Sequence, residues 1–282
     1  MAGGAGAPAG SRPGRISDAV LGAPVGFGRT AEVYAWGEGR VLKLYRAGMP
    51  ETWVHHEARV SRIVAGAGLQ APAIGDEVEV AGRHGIIYER IDGPSMLDGL
   101  TRRPATFFRV ARQFAGLHAA MHGCARPELP SQRAGLIRAI SNAPELEAAA
   151  RARVLSALES LPDGRSVCHG DYHPDNIIMS QRGPLVIDWM TATHGSPVAD
   201  VARTVLLFRF AVLPPGMPPA KRLMTTALRR AFLAAYLRSY RAERPCAAGD
   251  IQAWIPILAA ARLVEGIAAE QEMLLRLANA SA

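Results

Sequence analysis

The sequence predicts an α+β fold with two lobes, in which a small β-rich lobe with one helix precedes a larger, mostly helical lobe. Between residues 31 and 89, short apolar runs alternate with glycine-containing turns, a pattern typical of strands. From residue 106 onward, apolar residues recur every three or four positions, as they do on buried helix faces. The composition changes near Gly93 and Pro94, where we place the lobe boundary.

The N-terminal lobe is expected over residues 16–93, after a flexible tail over residues 1–15 that is rich in glycine, alanine and proline. The predicted elements of this lobe are a glycine-rich turn over residues 26–30, strands over 31–36, 40–45, 77–80 and 85–89, and a helix over 50–67. A hairpin turn at residues 37–39 joins the first two strands. Together these elements predict one small antiparallel sheet with a single helix.

The C-terminal lobe is expected over residues 94–282. Its first helix has a buried face marked by apolar residues three or four apart, namely Phe107, Val110, Phe114, Leu117 and Met121. Further helices are predicted over residues 136–140, 146–161, 198–210, 223–240 and 257–277. Short apolar runs near residues 167, 177 and 185 predict strands around a polar loop, residues 168–176.

Composition excludes several classes of protein. The chain has 282 residues, 49% of them hydrophobic and 20% charged, which suits a folded core and not a disordered chain. No apolar run reaches about 18 residues, and the start of the chain does not resemble a signal peptide, so we predict no membrane span. The cysteines, Cys124, Cys168 and Cys246, are odd in number and far apart, which favours a reducing, cytoplasmic location.

The net charge of +7 leaves a basic nucleic-acid-binding protein open as an alternative. The arginines are scattered and form no long basic run, so nucleic acid is the less favoured partner. The densest basic zone, residues 221–244, fits either a solvated helix face or a patch for an anion. Only two of the 32 basic residues are lysines, Lys43 and Lys221, so a lysine inside an apolar strand indicates a need for a compact ammonium group.

Two features of the N-terminal lobe suit a nucleotide. Gly26 and Gly28 precede the first predicted strand, and glycines let backbone N–H groups approach phosphates closely, although a glycine-rich turn alone is weak evidence. Strand alternation places Lys43 on the opposite face from its two leucine neighbours. There it fits either a phosphate-binding lysine with Glu57 of the next helix as its anionic partner, or an ordinary edge-strand lysine.

The polar loop places Asp171 five residues before Asn176. In phosphoryl transfer an aspartate accepts the proton of the attacking hydroxyl, and an asparagine ligates Mg²⁺. A soft-metal site at Cys168, His169 and His173 is the less favoured alternative, because no second cysteine pair at zinc spacing accompanies it.

Asp188 follows an apolar run twelve residues after Asn176. An aspartate in that place can hold Mg²⁺ against phosphates, or it can cap a turn. The order and spacing of the glycines, Lys43, the polar loop and Asp188 favour one common function over coincidence.

The polar loop and the segment around Asp188 resemble the two signature segments of the aminoglycoside phosphotransferase and choline kinase-like family, and read HGDYHPDN and VIDW here. The resemblance covers nearly the whole chain after the tail. It implies a bilobal protein-kinase-like fold that binds ATP and Mg²⁺ in the cleft between its lobes. It also implies transfer of the γ-phosphoryl group to a hydroxyl of a small-molecule substrate.

In the N-terminal lobe, the residues that the resemblance assigns to nucleotide binding are Gly26, Phe27, Gly28, Lys43, Glu57, Glu89 and Ile91. The first three would cover the ATP phosphates, and the lysine, paired with the glutamate, would bind the α- and β-phosphates. Backbone groups over residues 89–91 would hold the adenine.

In the C-terminal lobe, the resemblance assigns Asp171 as the catalytic base and His169 as the residue that orients the loop. Asn176 and Asp188 would ligate Mg²⁺. Asp200 would anchor the loop through hydrogen bonds to its backbone.

Departures from the protein-kinase pattern favour a small-molecule kinase. Ala31 stands in place of a third glycine, and His173 stands two residues after Asp171, where protein kinases have a lysine. Eleven residues separate Asp188 from Asp200, too few for a long activation loop. A catalytically silent, nucleotide-binding pseudokinase is an alternative, although the lysine, the base and both metal ligands are present.

The acceptor stays open among aminoglycosides, amino alcohols, sugars and related metabolites. A polycation needs a site rich in carboxylates, and the C-terminal helices have no dense acidic cluster. A choline-like ligand needs an aromatic cage. Trp189, Tyr236, Tyr240 and Trp254 are candidate walls, although core packing explains each as well.

His118 and His122 lie four residues apart on one helix. They fit a metal pair less well than an interior histidine with hydrogen bonds and a helix-end histidine. The sequence gives no indication of the oligomeric state.

Overall fold

A computed structural model describes residues 15–16, 21–210, 213 and 216–280, which divide into two compact units. Among the described residues, those within Met1–Ala65 and Pro72–Ile91 form the first unit, and those within Gly66–Ala71 and Asp92–Ala282 form the second. The division after Ile91 lies two residues before the boundary placed from composition, and the short segment Gly66–Ala71 groups with the second unit. Of the expected tail, residues 1–14 lie outside the described residues.

The first unit is a six-stranded sheet with one helix. Its strands are β1 (Arg15–Ile16), β2 (Pro24–Phe27), β3 (Ala31–Ala35), β4 (Arg40–Tyr45), β5 (Ile74–Val80) and β6 (Arg83–Glu89), and helix α1 (Glu51–Gly66) connects β4 to β5. The strand order is β1-β5-β6-β4-β3-β2. All neighbouring strands are antiparallel except β1 and β5. The predicted antiparallel sheet with one helix is confirmed, with a short parallel strand added.

Side-chain alternation along β4 places Lys43 on the helix side of the sheet. Leu42 and Leu44 are buried in one apolar cluster on the far face. Tyr45, on the other face, packs with Val54 of α1. Because successive side chains alternate across a strand, Lys43 shares the face of Tyr45 and points toward α1.

The predicted glycine-rich turn over residues 26–30 is wrong at its start. Gly26 and Phe27 belong to β2 and pair with β3. The turn is confined to residues 28–30, where the N–H of Gly28 donates to the carbonyl of Ala31 at 2.8 Å. β2 is an edge strand whose two large apolar side chains, Val25 and Phe27, are exposed, so it has no buried face by which the sequence could indicate a strand.

Eight α-helices lie in the described part of the second unit. They are α2 (Met96–Arg102), α3 (Phe107–Met121), α4 (Gln132–Ser141), α5 (Ala148–Ser160), α6 (Pro197–Phe210), α7 (Pro219–Glu243), α8 (Ala248–Arg262) and α9 (Ala268–Asn279). The predicted stripe on α3 is confirmed for Val110, Phe114 and Met121, which are buried, and its other two residues are partly buried. The sequence did not predict α2, whose start is capped by Ser95, which accepts a hydrogen bond from the N–H of Asp98 at 3.0 Å.

The single helix predicted over residues 257–277 is wrong. α8 ends at Arg262, a 3-10 turn follows over Leu263–Glu265, and α9 begins at Ala268. Gly266 interrupts the helix because its φ of 64° lies in the left-handed region, where glycine is favoured. The apolar periodicity continues through the break and therefore gave no sign of it.

Two short two-stranded sheets carry the loops of interest. β7 (Ser166–Cys168) pairs with β10 (Thr193–Gly195), and β8 (Ile177–Ser180) pairs with β9 (Gly183–Val186), both antiparallel. The polar loop therefore connects β7 to β8, as predicted, with Cys168 as the last residue of β7.

Among the described residues, no single helix is long and apolar enough to cross a membrane. One pair bent by 119°, Pro219–Glu243 with Ala248–Glu265, has the length and composition only when its two parts are taken together.

Candidate active site

The first unit contains the predicted ion pair between Lys43 and Glu57. Lys43 Nζ donates to Glu57 Oε1 at 2.8 Å and to Oε2 at 3.0 Å. The carboxylate is buried and also accepts from the hydroxyls of Tyr45 and Tyr88. These hydroxyls fix the carboxylate, which in turn fixes the ammonium group. The alternative of an edge-strand lysine is wrong, because β4 lies between β6 and β3.

The hairpin of β2 and β3 carries Gly26, Phe27 and Gly28, and Phe27 is 74% exposed. A Cβ at position 26 would make only ordinary contacts with Val33, and one at position 28 would lie 3.3 Å from the carbonyl of Ala31. Neither glycine has a positive φ. The backbone conformation therefore does not require glycine at position 26, and a ligand that approaches the backbone is a separate reason for it.

The segment expected to hold adenine follows β6. Two of its N–H groups are already engaged within the first unit: that of Glu89 donates to the carbonyl of Ala73 at 2.8 Å, and that of Arg90 to the carbonyl of Gly39 at 2.9 Å. A ligand at this segment would therefore bond to other backbone groups, such as those of Ile91.

In the second unit, Asp200 at the start of α6 anchors the polar loop. Its Oδ2 accepts from the N–H of His169 at 2.6 Å, and its Oδ1 accepts from the N–H of Gly170 at 2.8 Å. Gly170 is required here, because its φ is 79° and a Cβ would lie 2.8 Å from the carbonyl of Thr191. The anchoring role expected of Asp200 is therefore present in the structure.

His169 links the polar loop to the segment before Asp188. Its Nε2 lies 3.1 Å from the carbonyl of Ile187, and its Nδ1 lies 3.2 Å from the N–H of Asp171. A carbonyl only accepts and an N–H only donates, so Nε2 carries the proton. Burial lowers the pKa of His169, which keeps the ring neutral. One buried imidazole thus orients the residues on both sides of the candidate site.

Asp171 is held as a carboxylate beside His173. Asp171 Oδ2 lies 3.5 Å from His173 Nε2. Burial raises the pKa of Asp171, but the hydrogen bond and charge of His173 outweigh that effect and lower the pKa to about 2. Burial lowers the pKa of His173, but Asp171 outweighs it, so the net direction is upward. The pair therefore stabilises the ionised form of Asp171 and the protonated form of His173.

Asn176 and Asp188 lie in segments that His169 ties together. Asn176 Nδ2 donates to the backbone carbonyl of Asp171 at 3.0 Å, which leaves the amide oxygen as the atom suited to a cation. Asp188 is exposed and takes a left-handed conformation, with φ and ψ both 62°. A non-glycine residue in that region stores strain, which is common at functional sites.

Two arginines and two glutamates, which the sequence did not indicate, form a series of ion pairs that begins at the polar loop. Arg203 Nε donates to the carbonyl of Gly170 at 3.2 Å, and its Nη2 lies 2.5 Å from Glu265. Arg262 bonds Glu265 at 3.0 Å and Glu270 at 2.6 Å. We call these four charged residues the charge chain. Arg203 lies one helical turn after Asp200, a spacing that could have revealed it, whereas Glu265 is placed by the unpredicted break after α8.

The aromatic-cage interpretation is wrong. Trp189, Tyr236, Tyr240 and Trp254 are all buried in the core. Trp189 packs against His169 and donates from Nε1 to the carbonyl of Val186 at 2.9 Å. These residues support the fold and form no open wall for a ligand.

His118, His122 and Asp200 are close enough to hold a metal ion. All four ring nitrogens of the two histidines nevertheless have hydrogen-bond partners: both Nε2 atoms face Asp200, and both Nδ1 atoms face tyrosine hydroxyls. The interpretation of His118 as an interior histidine with hydrogen bonds is confirmed, and it extends to His122.

Comparison with known proteins gives the same family as the signature segments. The model of the phosphotransferase enzyme family matches residues 22–249. No curated protein sequence matches the chain.

Three solved structures illustrate the fold. The chain is similar to a thermostable mutant of aminoglycoside phosphotransferase APH(4)-Ia in complex with AMP-PNP and hygromycin B, with a TM-score of 0.63, 17% identity and coverage of 93% of this chain and 92% of that one. It is similar to aminoglycoside-3′-phosphotransferase of type VIII, with a TM-score of 0.56, 20% identity and coverage of 87% and 92%. It is also similar to APH(2″)-IIa in complex with streptomycin and ATP, with a TM-score of 0.57, 14% identity and coverage of 91% and 89%. The protein-kinase-like fold is thus shown, and the chain belongs to the phosphotransferase enzyme family as a small-molecule kinase.

Proposed function

We propose that this chain transfers the γ-phosphoryl group of ATP, with Mg²⁺, to a hydroxyl of a small molecule, and that Asp171 is the base. The observation that carries the proposal is the polar loop, where Asp200 and His169 bind the N–H groups leading up to an ionised Asp171 and Asn176 binds its carbonyl. Phosphoryl transfer depends mainly on positioning and charge stabilisation. A fixed carboxylate can orient the attacking hydroxyl and accept its proton.

The first unit supplies the groups that would bind the nucleotide. Lys43 would contact the α- and β-phosphates as a compact cation, held in place by Glu57. Gly26, Phe27 and Gly28 would cover the phosphates with their backbone. AMP-PNP and ATP in complexes of similar structures support the choice of nucleotide.

The second unit supplies oxygen ligands of the kind that Mg²⁺ prefers, the amide oxygen of Asn176 and the carboxylate of Asp188. These residues fit the ion, because the Asn176 nitrogen is already engaged and its oxygen remains for a cation. When bound, Mg²⁺ would neutralise charge on the phosphates. His169 would orient the two segments that carry these ligands, through its bonds to the N–H of Asp171 and the carbonyl of Ile187.

The charges around the polar loop support an acceptor with few positive charges. Glu265 and Glu270 are both paired with arginines, so the charge chain is balanced and offers a polycation little net attraction. A neutral sugar or an amino alcohol is therefore the favoured acceptor class. Aminoglycosides, named with the similar structures, are the second candidate. A cytoplasmic location, and nucleic acid as the less favoured partner, stay predictions.

The function is tested by ATP consumption of the purified protein with Mg²⁺, using matched panels of neutral sugars, amino alcohols and aminoglycosides. We expect ADP formation that depends on one acceptor class and is absent with EDTA. A phosphorylated product identified by mass spectrometry would name the hydroxyl. ATP binding without turnover on any panel would favour the pseudokinase alternative.

Replacement of Asp188 by asparagine tests the metal site. We expect the Mg²⁺-dependent part of ATP binding to weaken by about 10-fold or more, because a charged oxygen ligand is lost. Calorimetry with ATP, in Mg²⁺ and in EDTA, measures this. The two proteins should bind ATP equally in EDTA, and equal binding in Mg²⁺ would exclude Asp188 as a ligand.

A further inference from the structure

Two tyrosine–histidine pairs join α7 to α3 in the core of the second unit. The Tyr236 hydroxyl lies 2.8 Å from His118 Nδ1, and the Tyr240 hydroxyl lies 2.7 Å from His122 Nδ1. The two Nε2 atoms lie 3.0 and 3.3 Å from Oδ2 of Asp200. All five residues are buried. Neither tyrosine has a part in the reaction proposed above.

The charge state of Asp200 sets the direction of these hydrogen bonds. Burial raises the pKa of Asp200, but its bonds to His118 and His122 outweigh that effect and hold the pKa well below its usual range. An ionised carboxylate only accepts, so each histidine presents an N–H at Nε2.

The first tyrosine must then be a donor. Burial lowers the pKa of His118 to about 3, so the ring is neutral and has a single N–H, at Nε2. Its Nδ1 is therefore an acceptor. Burial raises the pKa of Tyr236, which keeps the phenol protonated and able to donate to that atom. The pair of Tyr240 and His122 repeats the arrangement one helical turn later.

The same carboxylate determines where the polar loop lies. Asp200 accepts from the N–H groups of His169 and Gly170, and Asp171 is the next residue. Without the tyrosine hydroxyl, the His118 ring loses the bond that fixes it at Nδ1. The ring can then turn and lengthen its bond to the carboxylate, which would loosen the backbone before Asp171.

We infer that Tyr236 and Tyr240 are positioning residues for the reaction, which act by holding the protonated nitrogens of His118 and His122 toward Asp200. Through Asp200 they place the backbone of the polar loop and so the base. A displacement of α7 would therefore reach Asp171 through two hydrogen-bond chains. The kinetic part of this inference rests on the proposed function, whereas the hydrogen-bond part does not.

The hydrogen-bond part is tested by NMR on Tyr236→Phe, Tyr240→Phe and the double variant. In the parent protein we expect nitrogen shifts of a His118 ring protonated at Nε2, and slowly exchanging amide protons on His169 and Gly170. In Tyr236→Phe we expect His118 to keep its proton at Nε2 and the two amide protons to exchange faster than in the parent protein. In the double variant the two amides should exchange about 10-fold faster or more. Unchanged exchange rates of the two amide protons would overturn the inference, whether or not the protein proves to be a kinase.

The kinetic part of the inference is tested by measuring kcat and the KM for ATP of the same variants, well below their unfolding temperatures. We expect kcat of the double variant to fall by about 10-fold or more, with the KM for ATP within about two-fold of the parent. The matched control is Tyr34→Phe, which removes a hydroxyl bonded to Glu32 in the first unit and should leave kcat unchanged. Loss of thermal stability with an unchanged kcat would show a purely structural role. If the double variant does not fold, the kcat values of the two single variants test the inference instead.

Substitutions of His118 give a second, independent test. Glutamine at position 118 keeps an N–H donor for Asp200, whereas leucine has none. We expect His118→Gln to retain much more of the parent kcat than His118→Leu, at similar KM for ATP. Equal kcat values in the two variants would contradict the inference.

Discussion

Replacing Asp171 by alanine is expected to lower turnover by about 10²- to 10⁴-fold, the range for loss of a general base, while ATP binding persists. The reason is geometric as well as chemical. His169 and Asp200 hold the loop at its backbone, so the alanine variant keeps the fold of the site and loses only the carboxylate. Single-turnover kinetics with ATP and the acceptor identified from the panels measure the loss.

The matched control for this variant is Asp175→Ala, in the same loop. Asp175 is exposed, and its side chain accepts a hydrogen bond from Ser95 at 3.2 Å. Its loss should change turnover by no more than about three-fold. Because the pKa of Asp171 is about 2, the parent enzyme should show no loss of activity from its protonation between about pH 5 and 8. Turnover of Asp171→Ala close to the parent value would remove Asp171 as the base.

Replacing Asp200 by alanine is expected to destabilise the protein by about 3–5 kcal/mol, because several buried donors lose their acceptor at about 1–3 kcal/mol each. Asp200 accepts from two histidines and two backbone N–H groups, all buried or partly buried. Each would be left without its acceptor. Urea unfolding of the parent and the variant measures the difference in the free energy of unfolding.

The pH dependence of that difference has a definite sign. Burial raises the pKa of Asp200, but its two histidine partners lower it by more. The pKa in the folded state therefore lies below its usual range. Its stabilising contribution is therefore complete above about pH 5 and is lost as the pH falls toward the folded pKa. The control Glu272→Ala, at an exposed site, should change stability by less than about 0.5 kcal/mol. A cost below about 1 kcal/mol for Asp200→Ala would contradict the anchoring role.

Features encoded in short stretches of sequence could be predicted. The strands around Lys43, the helix of Glu57 and the loop of Asp171 each have a local pattern, and their residues lie where that pattern placed them. The ion pair followed from the strand face of Lys43 and a helix that must cover that face.

Features that depend on packing could not be predicted. The bond between His118 and Tyr236 joins residues 118 positions apart, and nothing local to either residue indicates it. The break at Gly266 left the apolar period intact, so the place of Glu265 in the charge chain was also hidden. Such contacts arise from how helices pack, which the period of a single helix does not determine.

The hydrogen-bonded pairs between α3 and α7 also specify how the two helices align along their lengths. Phe114 meets Phe232, His118 meets Tyr236 and His122 meets Tyr240, so every partner lies 118 residues further along the chain. A slip of one helical turn would still bury the rings, since apolar contact has no preferred direction. It would, however, leave a histidine at one end and a tyrosine at the other without partners, at about 1–3 kcal/mol each. The two hydrogen-bonded pairs therefore fix the register between the helices. They destabilise other registers that the surrounding hydrophobic surface alone would allow.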